Sequence, residues 1–373
     1  MRLDLKMPEK IIFEEGCIAE LEECASAYTD NIFIAASRTL LKEGKLDGVL
    51  AGLKQRNIKY TVFDGVTGEP SLKMVDGAVN TARAAGCGAV AGVGGGSVLD
   101  LAKCVAALIN NEGGVEQYLE ITDAPKKLEG QVVPFIAVPA TAGTGSEATK
   151  NAVVTSLEKG YKKSLRSDKM LARAALVDPQ LTYGLPREIT ARTGMDAITQ
   201  IIESYTSKKA TPLTRALCAD AADKFRCLFK AWDKNDHAAR RGMCYLSLIS
   251  GIALANSGLG AAHGIAAGLG ALYNVPHGEA CAVLLPHVMR LNMELCREDY
   301  ALLAYRALGS SSAEMLIDYI EELNEKMGIP GRLSYINLGD VEALSRASMG
   351  SSMSGNRVAL DIESCARFIR EII

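Results

Sequence analysis

Two histidines lie in a stretch of the chain that is otherwise apolar and rich in glycine. Residues 258–278, GLGAAHGIAAGLGALYNVPHG, contain His263 and His277, two of the four histidines in the sequence. An imidazole is costly to bury without a partner, so the pair indicates a metal, a phosphate or a substrate, although either histidine alone could be a satisfied core residue. Upstream, the segment TGMDAITQIIES places Asp196 near the start of a predicted helix. One aspartate and two histidines are a common ligand set for a catalytic divalent metal with one open position.

A first glycine-rich loop could bind a phosphate. Residues 93–104, VGGGSVLDLAKC, contain Gly94, Gly95 and Gly96, followed by Ser97 and Asp100. Consecutive glycines can take positive φ and let a ligand approach the backbone. Ser97 and Asp100 match a helix-capping pattern, and the amides at a helix start attract phosphate. The segment is neither a dinucleotide fingerprint nor a Walker A loop, so phosphate binding and an ordinary turn both stay open.

A second small-residue loop follows the next predicted strand. Residues 139–149, PATAGTGSEAT, combine Thr141, Thr144 and Ser146 with two glycines. Because ligands bind at the carboxyl ends of parallel strands, this loop could line the same crevice as the first. A plain polar loop is the alternative for each segment, but the two together favour a shared nucleotide site.

The elements that must position these residues alternate in type over the first half of the chain. Apolar runs predict strands at 10–13, 31–37, 59–66, 88–93 and 132–140, and helical periodicity predicts helices at 17–27, up to about 55, 71–85 and 97–109. This alternation predicts a doubly wound parallel sheet. Further on, helices are predicted at 185–207, 213–231, 238–255 and 260–272. We therefore expect an α/β domain at 1–180 and an all-α domain at 181–373.

Composition narrows the class of partner. The formal net charge is -3 and no long run of one sign occurs, which argues against a nucleic-acid or anionic-membrane partner. Residues 246–272 are uncharged and long enough to span a membrane, but their glycines and polar residues fit two packed core helices joined near residues 256–260 better. The ten scattered cysteines and the charged N-terminal segment favour a cytoplasmic protein without a signal peptide.

Taken together, these motifs resemble the iron-containing (group III) alcohol dehydrogenase family. The resemblance runs from KIIFEEG to SSMSGN and includes GGGSVLD, PATAGTGSE, VDPQL, TGMDA and the HG and PHG segments. It implies a dinucleotide-binding α/β domain, a helical metal-binding domain with the dehydroquinate synthase-like architecture, and interconversion of alcohols and carbonyl compounds with NAD or NADP. A homodimer is expected from the family alone.

The resemblance also implies roles for individual residues. Residues Gly94 to Ser97 would hold the cofactor pyrophosphate, with Asp100 supporting that loop. Thr141 and Thr144 would line the cofactor, and Lys162 or Lys163 would lie near its ribose or nicotinamide. The metal ligands would be Asp196, His263 and His277.

The chain departs from the family pattern at two positions. Gln200 and Ala267 stand where the family usually has histidines, the first a metal ligand and the second a proton-handling residue. The remaining Asp/His/His set resembles that of glycerol dehydrogenases, and it favours zinc over iron. Gln200 could bind the metal weakly through its carbonyl, bond a metal-bound water, or serve as polar filler.

Cofactor choice is predicted from the end of the strand at 31–37. Ser37 stands where NAD-specific members often have an aspartate, so nothing there repels a 2′-phosphate, and Arg38 follows at once. We therefore expect NADPH to be accepted and favoured. Two other functions stay open: a lyase of the dehydroquinate-synthase type, which would need basic residues that the apolar site segments lack, and a cofactor-binding homologue without catalysis.

Overall fold

A computed structural model describes residues 4–122, 124–156 and 158–373. These residues form two compact units. The first comprises residues 6–141 and 145–183, and the second comprises residues 184–373 with residues 142–144 and 4–5.

The first unit is built on a six-stranded parallel sheet. Its strands are β1 (Lys10–Phe13), β2 (Asn31–Ala36), β3 (Lys59–Phe63), β4 (Ala89–Gly94), β5 (Phe135–Pro139) and β8 (Ala174–Val177), in the order β1-β8-β5-β4-β2-β3. Strands β4 and β5 are buried along their whole length and β2 along all but its first residue, which explains their continuous apolar sequences. A separate antiparallel pair consists of β6 (Asn151–Ser156) and β7 (Tyr161–Arg166).

Helices of the first unit pack on both faces of the sheet. They are α1 (Leu21–Ser26), α2 (Arg38–Lys42), α3 (Asp47–Gln55), α4 (Leu72–Ala85) and α5 (Gly96–Leu108). Along β2 the side chains alternate: Phe33 joins the apolar cluster with α4 and α5, whereas Ile32 and Ile34 join the cluster with α1 and α3. The predicted doubly wound parallel sheet is therefore confirmed.

Three local predictions for this unit were incomplete. The β6–β7 hairpin was not predicted because its strands are mixed in polarity, and strand β8 was not predicted because its apolar run is only four residues long. The region predicted as one helix up to about residue 55 is two helices, because the chain turns at Gly44, which has a φ of 68°.

The described secondary structure of the second unit is entirely helical. Its α-helices are α6 (Arg187–Thr206), α7 (Pro212–Ala222), α8 (Cys227–Lys234), α9 (His237–Ser257), α10 (Ala261–Tyr273), α11 (His277–Leu308), α12 (Ala313–Lys326), α13 (Val341–Ser348) and α14 (Ile362–Ile372). The all-α prediction is confirmed for the described residues, with one difference: the single helix predicted at 213–231 is split into α7 and α8.

The apolar segment around residues 246–272 forms parts of two helices, as predicted. Among the described residues no single helix is long and apolar enough to cross a membrane; only α9 and α10 taken together are, and they are bent by 98°. The bend follows Gly258, whose φ of 66° and ψ of -164° suit glycine alone. Because the chain bends there, a new helix, α10, begins at Ala261, and His263 lies in its first turn.

The first unit contains a buried ammonium group. Lys103 on α5 is 0% exposed. Its Nζ donates to Thr149 Oγ1 at 2.9 Å and to the Asn151 carbonyl at 2.6 Å, and lies 3.3 Å from Asp100 Oδ1. Burial lowers the pKa of Lys103, against the opposing charge of Asp100. This network ties α5 to the loop after β5 and to the start of β6.

Replacing Lys103 with methionine should destabilise the first unit. The change keeps most of the side-chain volume but leaves Asp100 and the Asn151 carbonyl without their cation, at a cost of about 2–4 kcal/mol. Urea denaturation followed by circular dichroism measures this loss. The matched control is Lys159→Met, which breaks the exposed pair with Glu116 and should change the midpoint little. Equal midpoints for the two variants would contradict a stabilising role for the buried network.

Candidate metal and cofactor sites

Asp196 is a carboxylate buried in the middle of a helix. It is the tenth residue of α6, not near the start of a helix as the sequence suggested, and it is 3% exposed. Backbone amides in a helix interior are already bonded within the helix, so this carboxylate depends on other side chains. Its Oδ1 lies 3.1 Å from His263 Nε2, 3.1 Å from Gln200 Nε2 and 3.8 Å from His277 Nε2.

The two histidines come from the first turns of two different helices. His263 is the third residue of α10, and His277 is the first residue of α11, just after Pro276. Gly278 makes the approach of α11 to α6 possible, since a Cβ there would lie 2.2 Å from the Arg192 carbonyl oxygen. The imidazole rings meet edge to face with centroids 5.4 Å apart. The fold thus brings His263 and His277, which follow Asp196 by 67 and 81 positions in the sequence, to one oxygen of its carboxylate.

Glu203 orients His263 from the opposite side of the ring. Its Oε2 lies 2.7 Å from His263 Nδ1, and its two oxygens accept the backbone amides of Gly260 and Ala262 at 3.0 and 2.7 Å. A negative charge is favoured at this helix N-terminus. Since Nδ1 is engaged by Glu203, Nε2 is the nitrogen presented to Asp196. This carboxylate–histidine arrangement is typical of residues that orient a metal ligand.

Gln200 uses both ends of its amide in hydrogen bonds. Its Nε2 donates to Asp196 Oδ1 and to the Thr144 carbonyl at 3.4 Å, while its Oε1 accepts from Ser250 Oγ at 2.7 Å. The carbonyl oxygen, which is the atom able to bind a metal, is therefore occupied by a hydroxyl. In this arrangement Gln200 holds the Asp196 carboxylate in place.

Charges within the cluster shift the pKa values of its members. Burial would raise the pKa of Asp196, but the hydrogen bond from His263 and the charges of both histidines lower it below its usual value. Burial opposes charging of His263, yet the Cys281 thiolate charge and the hydrogen bonds to Asp196 and Glu203 raise its pKa well above the usual range. The cluster thus favours ionised acids balanced by positive charge, which a divalent cation can also supply.

The donor set fits a divalent metal. Asp196, His263, His277 and Cys281 each offer one ligand atom, and these four atoms all lie within 4.8 Å of one another. Three of the residues are buried and His277 is partly buried. Carboxylate, imidazole and thiolate are all ligands of zinc, and the spacing requires only small movements to surround one ion.

The first glycine-rich loop joins β4 to α5. Helix α5 begins at Gly96, and its N-cap is Gly95. Glycine has no side chain, so no side-chain hydrogen bond caps this helix. The predicted cap by Ser97 is therefore wrong, because Ser97 already lies inside the first turn. None of the three glycines has a positive φ. Two of them instead let neighbouring side chains pack closely against the backbone. A Cβ on Gly94 would lie 2.7 Å from Val98, and one on Gly95 would lie 3.3 Å from Thr141.

Asp100 connects the first loop to the second. It accepts hydrogen bonds from Ser146 Oγ at 2.6 Å and from the Val153 amide at 2.9 Å. It thus faces the loop after β5 and does not cap α5. Thr141 lies in the first unit beside Gly95, whereas Thr144 belongs to the second unit, where its carbonyl accepts from Gln200.

The remaining predicted cofactor residues occupy strand ends and the hairpin. Ser37 is the N-cap of α2, at the carboxyl end of β2. Arg38 follows it, donates from Nε to the Asp64 carbonyl at 2.8 Å, and lies 3.4 Å from the Asp64 carboxylate. Lys162 on β7 is ion-paired with Glu69, which also accepts from Thr155 Oγ1 at 2.8 Å.

Two family models match most of the chain. The model of the iron-containing alcohol dehydrogenase family matches residues 8–179, and the model of the C-terminal region of the Fe-containing alcohol dehydrogenase family matches residues 190–357.

The chain belongs to the iron-containing alcohol dehydrogenase family.

Similar proteins agree with this assignment. A long-chain-alcohol dehydrogenase 1 from Geobacillus thermodenitrificans is 39% identical over 81% of this chain and 78% of its own length. A crystal structure of 1,3-propanediol oxidoreductase is 31% identical, covers 100% of both chains and has a TM-score of 0.91. A sulfoacetaldehyde reductase from Bifidobacterium kashiwanohense, solved with NAD⁺, is 28% identical over 100% of this chain and 99% of its own, with a TM-score of 0.89. The predicted family, its fold and a metal-dependent alcohol dehydrogenase function are therefore confirmed.

Three residues of the cluster around Asp196 were not predicted from the sequence. Glu203 lies two turns after Asp196 on the same face of α6, a spacing of seven residues that could have indicated it. Cys281 lies four residues after His277 on α11, which is also a same-face spacing. Ser250 on α9 has no such local signal, since its partner Gln200 lies 50 residues away.

Glu203→Gln should weaken metal binding without unfolding the protein. A glutamine would place an NH₂ against either a backbone amide or the His263 ring, and loss of such an orienting carboxylate typically costs about 10–100-fold in metal affinity. Competition with a chromophoric chelator measures the affinity. Glu188→Gln, an exposed change on the same helix, is the control and should leave the affinity unchanged. Equal affinities of the Glu203→Gln variant and the wild type would show that Glu203 does not orient a ligand.

Proposed function

We propose that the protein interconverts a small alcohol and its aldehyde or ketone with NAD(P), using one divalent metal held by Asp196, His263 and His277. The observation that carries this proposal is the convergence of two imidazoles on one buried carboxylate in a family of alcohol dehydrogenases. The loops around Gly95 and Thr141, which lie side by side at the carboxyl ends of β4 and β5, support a cofactor site.

The reaction transfers a hydride from the reduced nicotinamide to the carbonyl carbon and a proton to the carbonyl oxygen. A bound divalent metal supplies Lewis-acid polarisation of that oxygen. The chain's own residues hold the ion: Asp196 contributes negative charge, and Glu203 fixes the ring of His263. Position 267 is a partly exposed alanine with no group that can carry a proton, so the proton would reach the carbonyl oxygen from water.

The dehydroquinate-synthase type of lyase is disfavoured by the site's charge. Such an enzyme needs lysines and arginines near the metal to bind a carboxylate and a phosphate. Here the side chains hydrogen-bonded to Asp196, Gln200 and His263 are neutral, acidic or histidine. A panel of alcohols, aldehydes and hydroxy acids, followed by nicotinamide absorbance with both cofactors, separates the dehydrogenase from the lyase and from a homologue without catalysis.

Removing a ligand should remove most activity. We expect Asp196→Asn and His263→Ala each to lower kcat/KM by about a hundredfold or more, which is at least ~2.7 kcal/mol of barrier. Both should retain the wild-type circular dichroism spectrum and lose stoichiometric metal by elemental analysis. The control is His237→Ala, an exposed histidine at the start of α9, which should behave as wild type. If either ligand variant keeps more than about a tenth of the wild-type rate, that residue is not a ligand that matters.

Cofactor preference depends on the pair Arg38 and Asp64. We propose that NADPH is accepted and favoured, because Ser37 carries no charge and Arg38 can bind a 2′-phosphate. Both partners of the ion pair are more than half exposed, with side chains 52% and 56% accessible, so Arg38 can exchange Asp64 for a phosphate.

The two partners should have opposite effects on cofactor choice. Arg38→Ala should weaken NADPH about tenfold while barely changing NADH, and Asp64→Asn should strengthen NADPH, because the competing carboxylate is gone. Steady-state kcat/KM with each cofactor measures both. A wild-type preference for NADH above tenfold, or an Arg38→Ala variant that loses both cofactors equally, would refute this assignment.

Location and assembly rest on sequence and family. None of the ten cysteines forms a disulfide in the described chain, which supports the proposed cytoplasmic location. A homodimer is proposed from the family.

A further inference from the structure

Cys281 lies beside the three proposed metal ligands. It is on α11, one turn after His277, and is 0% exposed. Its Sγ lies 3.7 Å from His277 Nε2, and within 4.8 Å of the ligand atoms of Asp196 and His263. The thiol therefore faces the interior of the cluster, where a cation bound by the other three residues would be.

The distances match those of a four-ligand site. In a tetrahedral zinc site with ordinary bond lengths, two ligand atoms lie roughly 3.3–3.6 Å apart. The separations here are 3.1 Å for Asp196 and His263, 3.8 Å for Asp196 and His277, and 3.7 Å for His277 and Cys281. These three separations differ from the tetrahedral range by a few tenths of an ångström, and the remaining pairs of ligand atoms lie within 4.8 Å, so shifts of up to about an ångström would surround an ion.

Gln200 is poorly placed to be the fourth ligand. Its carbonyl oxygen accepts from Ser250, and its amide nitrogen donates to Asp196. Turning the oxygen toward the ion would give up the bond from the Ser250 hydroxyl, which would then donate only to the Ser247 carbonyl at 2.8 Å, and would turn the amide nitrogen away from Asp196 Oδ1. A neutral amide would gain little in return, whereas a thiolate is a strong zinc ligand.

We propose that Cys281, as a thiolate, is the fourth protein ligand, and that it takes over from the histidine missing at position 200. The inference rests on the proposed metal site. When the ion binds, the S–H bond breaks, a metal–sulfur bond forms and the proton passes to solvent. One carboxylate and one thiolate then balance both positive charges of the ion, which favours its burial. A soft thiolate selects zinc over iron.

Cobalt reports directly on a sulfur ligand. Protein stripped of metal and loaded with Co²⁺ should bind one ion per chain and show both the visible d–d bands and a near-ultraviolet band from thiolate-to-cobalt charge transfer. Cys281→Ser should lose the charge-transfer band, keep the d–d bands, and release cobalt to a chelator at least about tenfold more readily. The matched control is Cys296→Ser, another buried cysteine on α11, which should keep the band.

A second variant tests whether the fourth position can be moved. Adding Gln200→His to Cys281→Ala should restore resistance to the chelator through an imidazole, without restoring the charge-transfer band. Because this variant and the wild-type spectrum do not depend on the folding of Cys281→Ser, the proposal stays testable if that variant is unstable.

The outcomes separate this inference from the proposed function. Wild-type protein that binds one cobalt with d–d bands but no charge-transfer band would overturn the role of Cys281 and leave the Asp/His/His site standing. A charge-transfer band that persists in Cys281→Ser would also overturn it, since the sulfur would be another cysteine. Wild-type protein that binds neither cobalt nor zinc would overturn the metal site itself, and this inference with it.

Discussion

The arrangement of the helical unit depends on one buried carboxylate. Asp196 is nearly inaccessible and lies in the centre of α6, where the backbone can offer it no hydrogen bond. A charge in such a position is costly unless cations or donors surround it. Two helices meet this need by starting beside it, α10 with His263 and α11 with His277. Gly260 and Gly278 occur where a larger residue would collide with Glu203 or with the backbone of α6.

A second layer of contacts fixes the orientation of these groups. Glu203 holds His263 and the start of α10 at once, while Ser250 and Gln200 hold Asp196. Gln200, which stands where the family usually has a histidine, thus takes part in the hydrogen-bond network through both ends of its amide. The same reasoning applies in the first unit, where Asp100 and Lys103 connect the two small-residue loops. In both units, buried polar networks set the position of the residues proposed to bind the metal or the cofactor.

The sequence predicted the architecture well because its signals were local. Long apolar runs identified β2, β4 and β5, and helical periodicity identified α4, α6 and α9. The hairpin β6–β7 was missed because its strands are mixed in polarity, and the cap at Ser97 was wrong because a glycine can start a helix without a side-chain bond. The convergence of Asp196, His263 and His277, the proposed metal ligands, was expected from residue type. Their partners were not: Ser250 joins the cluster only through the packing of α6 against α9, which no local pattern encodes, and the four-residue spacing of His277 and Cys281 on α11 was overlooked.

The central claim is that Asp196, His263 and His277 share one divalent metal. Anomalous diffraction from crystals of zinc-loaded protein, measured on both sides of the zinc absorption edge, tests it most directly. A single peak per chain is expected at about 2.0–2.2 Å from Asp196 Oδ1 and from the Nε2 atoms of both histidines. A zinc-loaded crystal with no peak among these three atoms, or with its only peak bound elsewhere on the chain, would contradict it.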